Sequence, residues 1–198
     1  MNIWEHCLLS QRKFGGVPDD YEKVHSFIDC SKYFYYHVKH RLLLHHLFGV
    51  ELAVELMGNF IENSTGKKVL VRDIAIEHCR EDLDGRAPTL LEWLEGNALL
   101  GNLFEELPTI EDEQLHYFVY RPFQRTGLKA SLIITCSDLG IHLAKLFLGS
   151  KKATELTRIL PLTFKVKYFL EQFQFTQRWQ YTPQQKELDW LKKVASSK

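Results

Sequence analysis

The chain has 198 residues, 45% of them hydrophobic and 13% aromatic, which is enough to bury a full core and argues against disorder. Lys+Arg and Asp+Glu balance at 25 each, but the balance is a cancellation between halves. Residues 1–112 hold 11 basic and 19 acidic residues, whereas residues 113–198 hold 14 and 6.

That asymmetry supports two readings. The halves attract and dock on each other, or the basic half meets nucleic acid or an acidic protein partner. The start, Met-Asn-Ile-Trp-Glu-His, has neither a basic nor an apolar leader region, and no apolar run reaches the roughly 20 residues of a membrane helix. A soluble, cytoplasmic chain is therefore expected. Cys7, Cys30, Cys79 and Cys136 are widely spaced and form no C-x-x-C, which points to buried free thiols rather than a zinc finger or disulfide scaffold.

In chain order, residues 3–13 read as a first helix that ends at Gly15-Gly16. Pro18-Asp19-Asp20 suits the start of a second helix reaching Ser31. One long helix is expected from His37 to Met57, ended by Gly58-Asn59. At about 100° per residue its apolar arc holds Leu42, Leu43, Leu47, Val50, Ala53, Val54 and Met57, with His46 in the middle. Two β-prone runs around Asn63-Ser64-Thr65-Gly66 predict a hairpin. Asp73 is read as the cap of a helix from Ile74 to Leu83, and Thr89 as the cap of Leu90–Leu94. Residues 98–113 read as an acidic connector.

Beyond it, Leu115–Phe123 and Leu128–Cys136 read as strands, or the second as an apolar helix. Ser137-Asp138 caps a helix that ends at Gly149. Pro183 opens a last amphipathic helix through Leu191. The sequence shows no convincing internal repeat. The expected fold is mainly α: a histidine-rich helical domain over 1–112 with a small hairpin, then a basic, aromatic-rich α or α+β unit over 113–198.

Seven of the nine histidines precede residue 79. His25 with Asp29 and His78 with Asp82 are each spaced i,i+4, so nitrogen and carboxylate leave one helix face together and can meet one cation. Between them lie His40, His45 and His46. Imidazole with carboxylate suits a divalent transition metal such as Zn, Fe or Mn. The candidate metal ligands are His25, His40, His45, His46, His78 and Asp82. Arg41 is the candidate for holding an anion, and Glu81 for general base chemistry. His6 and His37 are read as peripheral. Asp73 is also a candidate for orienting an imidazole.

Residues 1–95 resemble a family of small, histidine-rich bacterial and phage proteins catalogued as a domain of unknown function. The likeness is carried by Trp4-x-His6, Lys13-Phe14-Gly15-Gly16-x-Pro18-x-Asp20-Tyr21 and His25-x3-Asp29-x-Ser31-Lys32. It continues through His40-Arg41-x3-His45-His46-x2-Gly49, Val71-Arg72-Asp73-Ile74, His78-x2-Glu81-Asp82 and Pro88-Thr89-x3-Trp93-Leu94. The resemblance implies that the histidine cluster is part of a shared design, and it brings no activity with it. A looser likeness is to the HD-type metal phosphohydrolases, helical proteins with His and Asp ligands on successive helices. This chain has His40-Arg41 and His45-His46 where an adjacent His-Asp pair would stand.

The basic half offers two aromatic-cation groups, Tyr117 to Arg125 and Lys165 to Tyr181. They suit base stacking with phosphate contact, a protein interface, or core aromatics alternating with solvated lysines. The leading expectation is a metal-dependent hydrolase of a phosphoester, nucleotide or nucleic acid. The alternative is a non-catalytic binding or scaffold subunit. His46 separates them: facing His78 across the core it marks a site, while bonded only to a nearby carbonyl it marks a scaffold.

Overall fold

A computed structural model describes residues 1–35, 38–97, 99–104, 106–160 and 164–181. His37 and the helix expected from Pro183 to Leu191 lie outside them. The fold is mainly α. Helix α1 (Ile3–Phe14) starts at Asn2, whose side chain accepts from the Glu5 N–H while Glu5 reaches back to the Asn2 N–H. A 3₁₀ turn at Pro18–Tyr21 leads into α2 (Glu22–Asp29), and another spans Cys30–Tyr33.

The long helix expected over 37–57 is not continuous. The chain forms a 3₁₀ turn (Val38–His40), a short α3 (Arg41–Leu44), a break at His45-His46, and then α4 (Leu47–Met57). Periodicity alone misses the break because Leu42, Leu43 and Leu44 before it and Phe48, Val50, Leu52 and Ala53 after it are all buried. The hairpin forms as expected, with β1 (Phe60–Glu62) antiparallel to β2 (Lys68–Leu70) and Ile61 opposite Val69. Helix α5 (Val71–Asp82) begins directly after β2, with Leu70 at its cap position. Asp73 is thus in the first turn and not the cap, where its charge still suits the helix dipole. Thr89 caps α6 (Leu90–Leu94) through a reciprocal bond with Glu92, as read from the sequence. A short α7 (Leu99–Asn102) follows.

Residues read as a strand at 115–123 form a helix, α8 (Glu113–Thr126), capped by Asp112. Leu115, Phe118, Val119 and Pro122 are buried, the i, i+3, i+4, i+7 pattern of one helical face and not a strand's alternation. The apolar run after it is a buried 3₁₀ turn at Lys129–Ile133. Then come α9 (Asp138–Leu148), capped by Ser137 as expected, and α10 (Ser150–Ile159), which the sequence reading did not anticipate. Helix α11 (Val166–Gln172) and a 3₁₀ turn at Arg178–Gln180 complete the described chain.

One buried apolar cluster runs from Cys7 and Val24 through Leu42 and Trp93 to Leu139 and Phe173. Charges from the two halves meet at its edge, where Arg121 pairs with Glu55, Arg125 with Glu51 and Lys152 with Asp112. Attraction between the acidic and basic halves is thus realised within the fold.

The turn into α4 is built twice. At each place a buried apolar turn gives way to an extended residue, His46 or Ser137, whose side chain accepts from a glycine N–H three residues on. A Cβ on Gly49 would lie 1.9 Å from the Leu44 carbonyl oxygen, and one on Gly140 would lie 1.9 Å from that of Thr135. Both helices then run for 11 residues to a glycine with positive φ, Gly58 or Gly149. The match lies in backbone geometry and in few side chains, so the sequence does not display it as a repeat.

Candidate metal centre

Helices α1, α2 and α5 and the break before α4 direct imidazoles and carboxylates to one buried place. α1 supplies His6, α2 supplies His25 and Asp29, α5 supplies His78 and Asp82, and the break supplies His45. His6, His25, His45 and His78 are fully buried, and Asp29 and Asp82 are 2% and 3% exposed. The i,i+4 spacing in α2 and α5 is what brings each histidine and its aspartate to one side of the helix. The break points His45 inward. Its backbone carbonyl accepts from Trp93 Nε1 at 2.9 Å, and Gln180 Nε2 in turn donates to the Trp93 carbonyl at 3.2 Å. The C-terminal segment therefore braces the turn that presents His45.

Two groups of potential ligands result, Asp29/His45/His78/Asp82 and His6/His25/His78, each with one atom per residue within 4.8 Å of the others. In the first, His45 Nε2 lies 3.4 Å from Asp29 Oδ1, 3.3 Å from Asp82 Oδ2 and 3.2 Å from His78 Nε2. His78 Nε2 lies 3.5 Å from Asp29 Oδ1. A cation with four ligands at about 2.0–2.2 Å on tetrahedral corners would space them about 3.3–3.6 Å apart. The two His45–Asp separations and the His78–Asp29 separation fall in that range, His45–His78 is slightly shorter, and the His78–Asp82 edge is longer, so the four groups crowd one place without forming a regular tetrahedron.

In the second group, His25 Nδ1 and His78 Nδ1 are 2.9 Å apart. The far nitrogen of each remaining ring is held by an oxygen, His25 Nε2 by Ser10 Oγ at 2.9 Å and His6 Nδ1 by Glu81 Oε2 at 2.5 Å. His6 Nε2 is buried and has no hydrogen-bond partner. The His6 ring stacks on His78 with centroids 3.8 Å apart.

His40 stands beside the first group, its Nε2 3.4 Å from Asp29 Oδ1. Arg41 donates from Nε to Asp82 Oδ2 at 3.1 Å, and its Nη1 is buried without a partner. At the rim, Lys32 Nζ lies 2.5 Å from Asp29 Oδ2 and the Met1 amine 2.8 Å from Asp82 Oδ1. The Glu81 side chain is 17% exposed.

His46 is not brought to this centre. Its Nε2 donates to the carbonyls of Leu42 and Leu43 at 3.0 and 3.1 Å, and its Nδ1 accepts from the Gly49 N–H at 3.2 Å. One neutral tautomer satisfies all three contacts, so neither nitrogen is left for a cation. This is the outcome that the sequence reading took as the mark of a scaffold, and it is His45 that faces His78 in its place.

Burial dominates the electrostatics. It holds His25 down to about 3, helped by His78, and His40 to about 4 against the pull of Asp29. His46 is pushed to about 3 by burial and then by His45. His6 and His78 are lowered for the same first reason. These rings are neutral near pH 7, the form that ligates metal. Burial would raise Asp29, but the imidazoles of His40, His45 and His78 gathered around it outweigh that and keep the carboxyl far below the usual range. Asp82 is likewise held down against burial by His45, Arg41 and His78. Glu81 goes the other way, lifted to about 8 by burial and by the charges of Glu77 and Asp82.

A family described as a domain of unknown function (DUF6915) matches residues 1–100. The chain belongs to this family. The matched span contains every residue of the centre, from His6 to Asp82, while the segment bracing Trp93 lies beyond it. No curated protein and no solved structure matches the chain.

Within the family's span, sequence reasoning set aside His6 because it lies near the start and has no i,i+4 carboxylate. Its signal was the inward face it shares with Cys7 and Ser10 on α1. Cys7, Cys30 and Cys79 are buried and free, as expected, with thiols pushed up by burial, to about 11 for Cys7 and about 12 for Cys30. Among the described residues, no helix is long and apolar enough to cross a membrane.

Proposed function

We propose that the chain is a metal-dependent hydrolase of a small phosphoester. The observation that carries this reading is the convergence of Asp29, His45, His78 and Asp82 on one buried place, with one ligand atom of each within 4.8 Å of the others. Hard carboxylate oxygens with borderline imidazoles favour Zn, Fe or Mn. Such an ion, when bound, lowers the pKa of a coordinated water and polarises a phosphoryl oxygen.

The chain's own groups divide the remaining work. Arg41 is held through Nε by Asp82, which leaves the unpartnered Nη1 to bind a phosphoryl oxygen. Glu81 stands at the rim with its side chain 17% exposed and its Oε2 2.5 Å from His6 Nδ1, where a carboxyl suits moving a proton to or from a substrate oxygen. The centre is enclosed, with its four imidazoles fully buried and its two aspartates 2% and 3% exposed.

The same enclosure favours a second reading, a non-catalytic subunit in which a cation staples four segments while the basic half docks a partner. One purification separates the two. Elemental analysis of untagged protein should find a transition metal, and less than about a tenth of an equivalent rejects both metal readings. Turnover of bis-p-nitrophenyl phosphate or nucleotides that is lost in Arg41→Gln with metal retained supports the hydrolase. Full metal content with no turnover supports the staple.

A further inference from the structure

His25 and His78 meet nitrogen to nitrogen, Nδ1 to Nδ1 at 2.9 Å, the distance of an ordinary hydrogen bond. The far nitrogen of His25 lies 2.9 Å from Ser10 Oγ. The far nitrogen of His78 faces His45 Nε2 at 3.2 Å and Asp29 Oδ1 at 3.5 Å. Ser10, His25 and His78 thus form one buried relay that ends among the Asp29, His45 and Asp82 ligand atoms. We propose that His25 is a positioning residue and not a metal ligand: with Ser10 it keeps the proton of His78 on Nδ1, so that His78 Nε2 presents a lone pair to the cation. This rests on the metal reading above.

The direction of the relay follows from counting donors. Each neutral ring has one N–H and one acceptor nitrogen, so the Nδ1–Nδ1 contact needs one of each. When His78 Nδ1 donates, His25 Nδ1 accepts, His25 Nε2 donates and the Ser10 oxygen accepts. Only this direction leaves a lone pair on His78 Nε2. The reverse puts an N–H there, which cannot ligate. Ligating imidazoles are held in this way through the nitrogen that the metal does not use.

Both nitrogens of His25 are therefore engaged, and none is left for a cation, as at His46. His6 supports the same ring from its face. It lies flat on His78, with centroids 3.8 Å and planes 17° apart, and Glu81 Oε2 holds its Nδ1 at 2.5 Å. In that stack the nitrogens of His6 run alongside those of His78 and do not aim at the same point. His25 fixes the edge of His78, and His6 fixes its plane.

The test is nuclear magnetic resonance of untagged, ¹⁵N-labelled protein titrated with ¹¹³Cd²⁺. Before metal is added, a coupling across the hydrogen bond should join Nδ1 of His25 to Nδ1 of His78. With ¹¹³Cd²⁺ bound, cadmium should couple to Nε2 of His45 and of His78, and the His78 proton should sit on Nδ1. Cadmium coupling to either nitrogen of His25, or a bound His78 without a proton on Nδ1, overturns the positioning role and leaves the metal reading standing. Failure to bind Cd²⁺ or Zn²⁺ overturns both. His25→Leu should weaken Zn²⁺ binding about 10–100-fold. His25→Asn, which keeps an amide oxygen near the place of Nδ1, should recover most of that loss, and an equal loss in the two variants contradicts positioning. The wild-type spectra decide even if the variants fail to fold.

Discussion

His45 and His46 are neighbours in sequence with opposite duties. Nε2 of His45 faces both Asp29 and Asp82, whereas both nitrogens of His46 are bound to backbone within four residues of itself. The break between α3 and α4 makes this division, because a continuous helix would set the two rings about 100° apart on one cylinder.

Replacing His46 by Ala should therefore lower stability by about 1–3 kcal/mol, through loss of the cap and of a buried hydrogen-bonded group, and leave metal content unchanged. Urea denaturation with elemental analysis measures both. Loss of metal from a folded His46→Ala protein would put this residue back among the ligands.

Gly49→Ala should be worse than a surface glycine change, by more than about 2 kcal/mol, since the new Cβ meets the Leu44 carbonyl oxygen at 1.9 Å and backbone cannot yield as a side chain does. Gly140→Ala should behave similarly against Thr135. Thermal denaturation of the two variants gives the comparison, and a near-neutral result at either position contradicts the account of the turn.

The metal-free protein should be acid-sensitive. His25, His40 and His46 are held to about 3, 4 and 3, below the ordinary 6.5, so the unfolded chain binds protons that the folded one refuses. Their contribution is complete above pH 6.5 and falls as pH drops, by up to about 1.4 kcal/mol per pH unit for each ring. Glu81 has the opposite sign: raised from 4.5 to about 8, it favours the fold below 4.5 and loses that effect as pH climbs through 8. The urea midpoint should peak near pH 6.5–7. A midpoint still rising as pH falls from 6.5 to 5 would contradict the buried neutral histidines.

Asp82 meets Arg41, His45 and the Met1 amine. Asp82→Asn leaves the Arg41 charge buried without its counter-ion and should destabilise by about 3–5 kcal/mol. It should also weaken metal uptake, so that added Zn²⁺ no longer raises the melting temperature. In the wild type, Zn²⁺ at a hundredfold excess over its dissociation constant should add about 2.7 kcal/mol. An Asp82→Asn protein that gains as much from Zn²⁺ as the wild type removes this carboxylate from the ligand set.

The hairpin, the Thr89 and Ser137 caps and the paired His/Asp faces of α2 and α5 were legible because each rests on contacts within a few residues. The break at His45-His46 was not, since it depends on Trp93 and Gln180 bracing a carbonyl from far along the chain. Helix α8 was legible in principle: its period-3.6 burial was present but hidden by a run of β-prone aromatics. His6 joins the centre through the packing of α1 on α5, a tertiary fact that local spacing does not encode.

The twin turns carry one more consequence. At the second, Cys136 and Ser137 occupy the positions of His45 and His46, and the helix that follows has the same length and the same glycine contact. The bend thus asks for an acceptor at its second residue and a glycine three residues on, and makes no demand for an imidazole at its first. The chain holds its own comparison sample: a version of the corner that folds with a thiol where His45 stands. What His45 adds to the first corner is therefore chemistry and not shape.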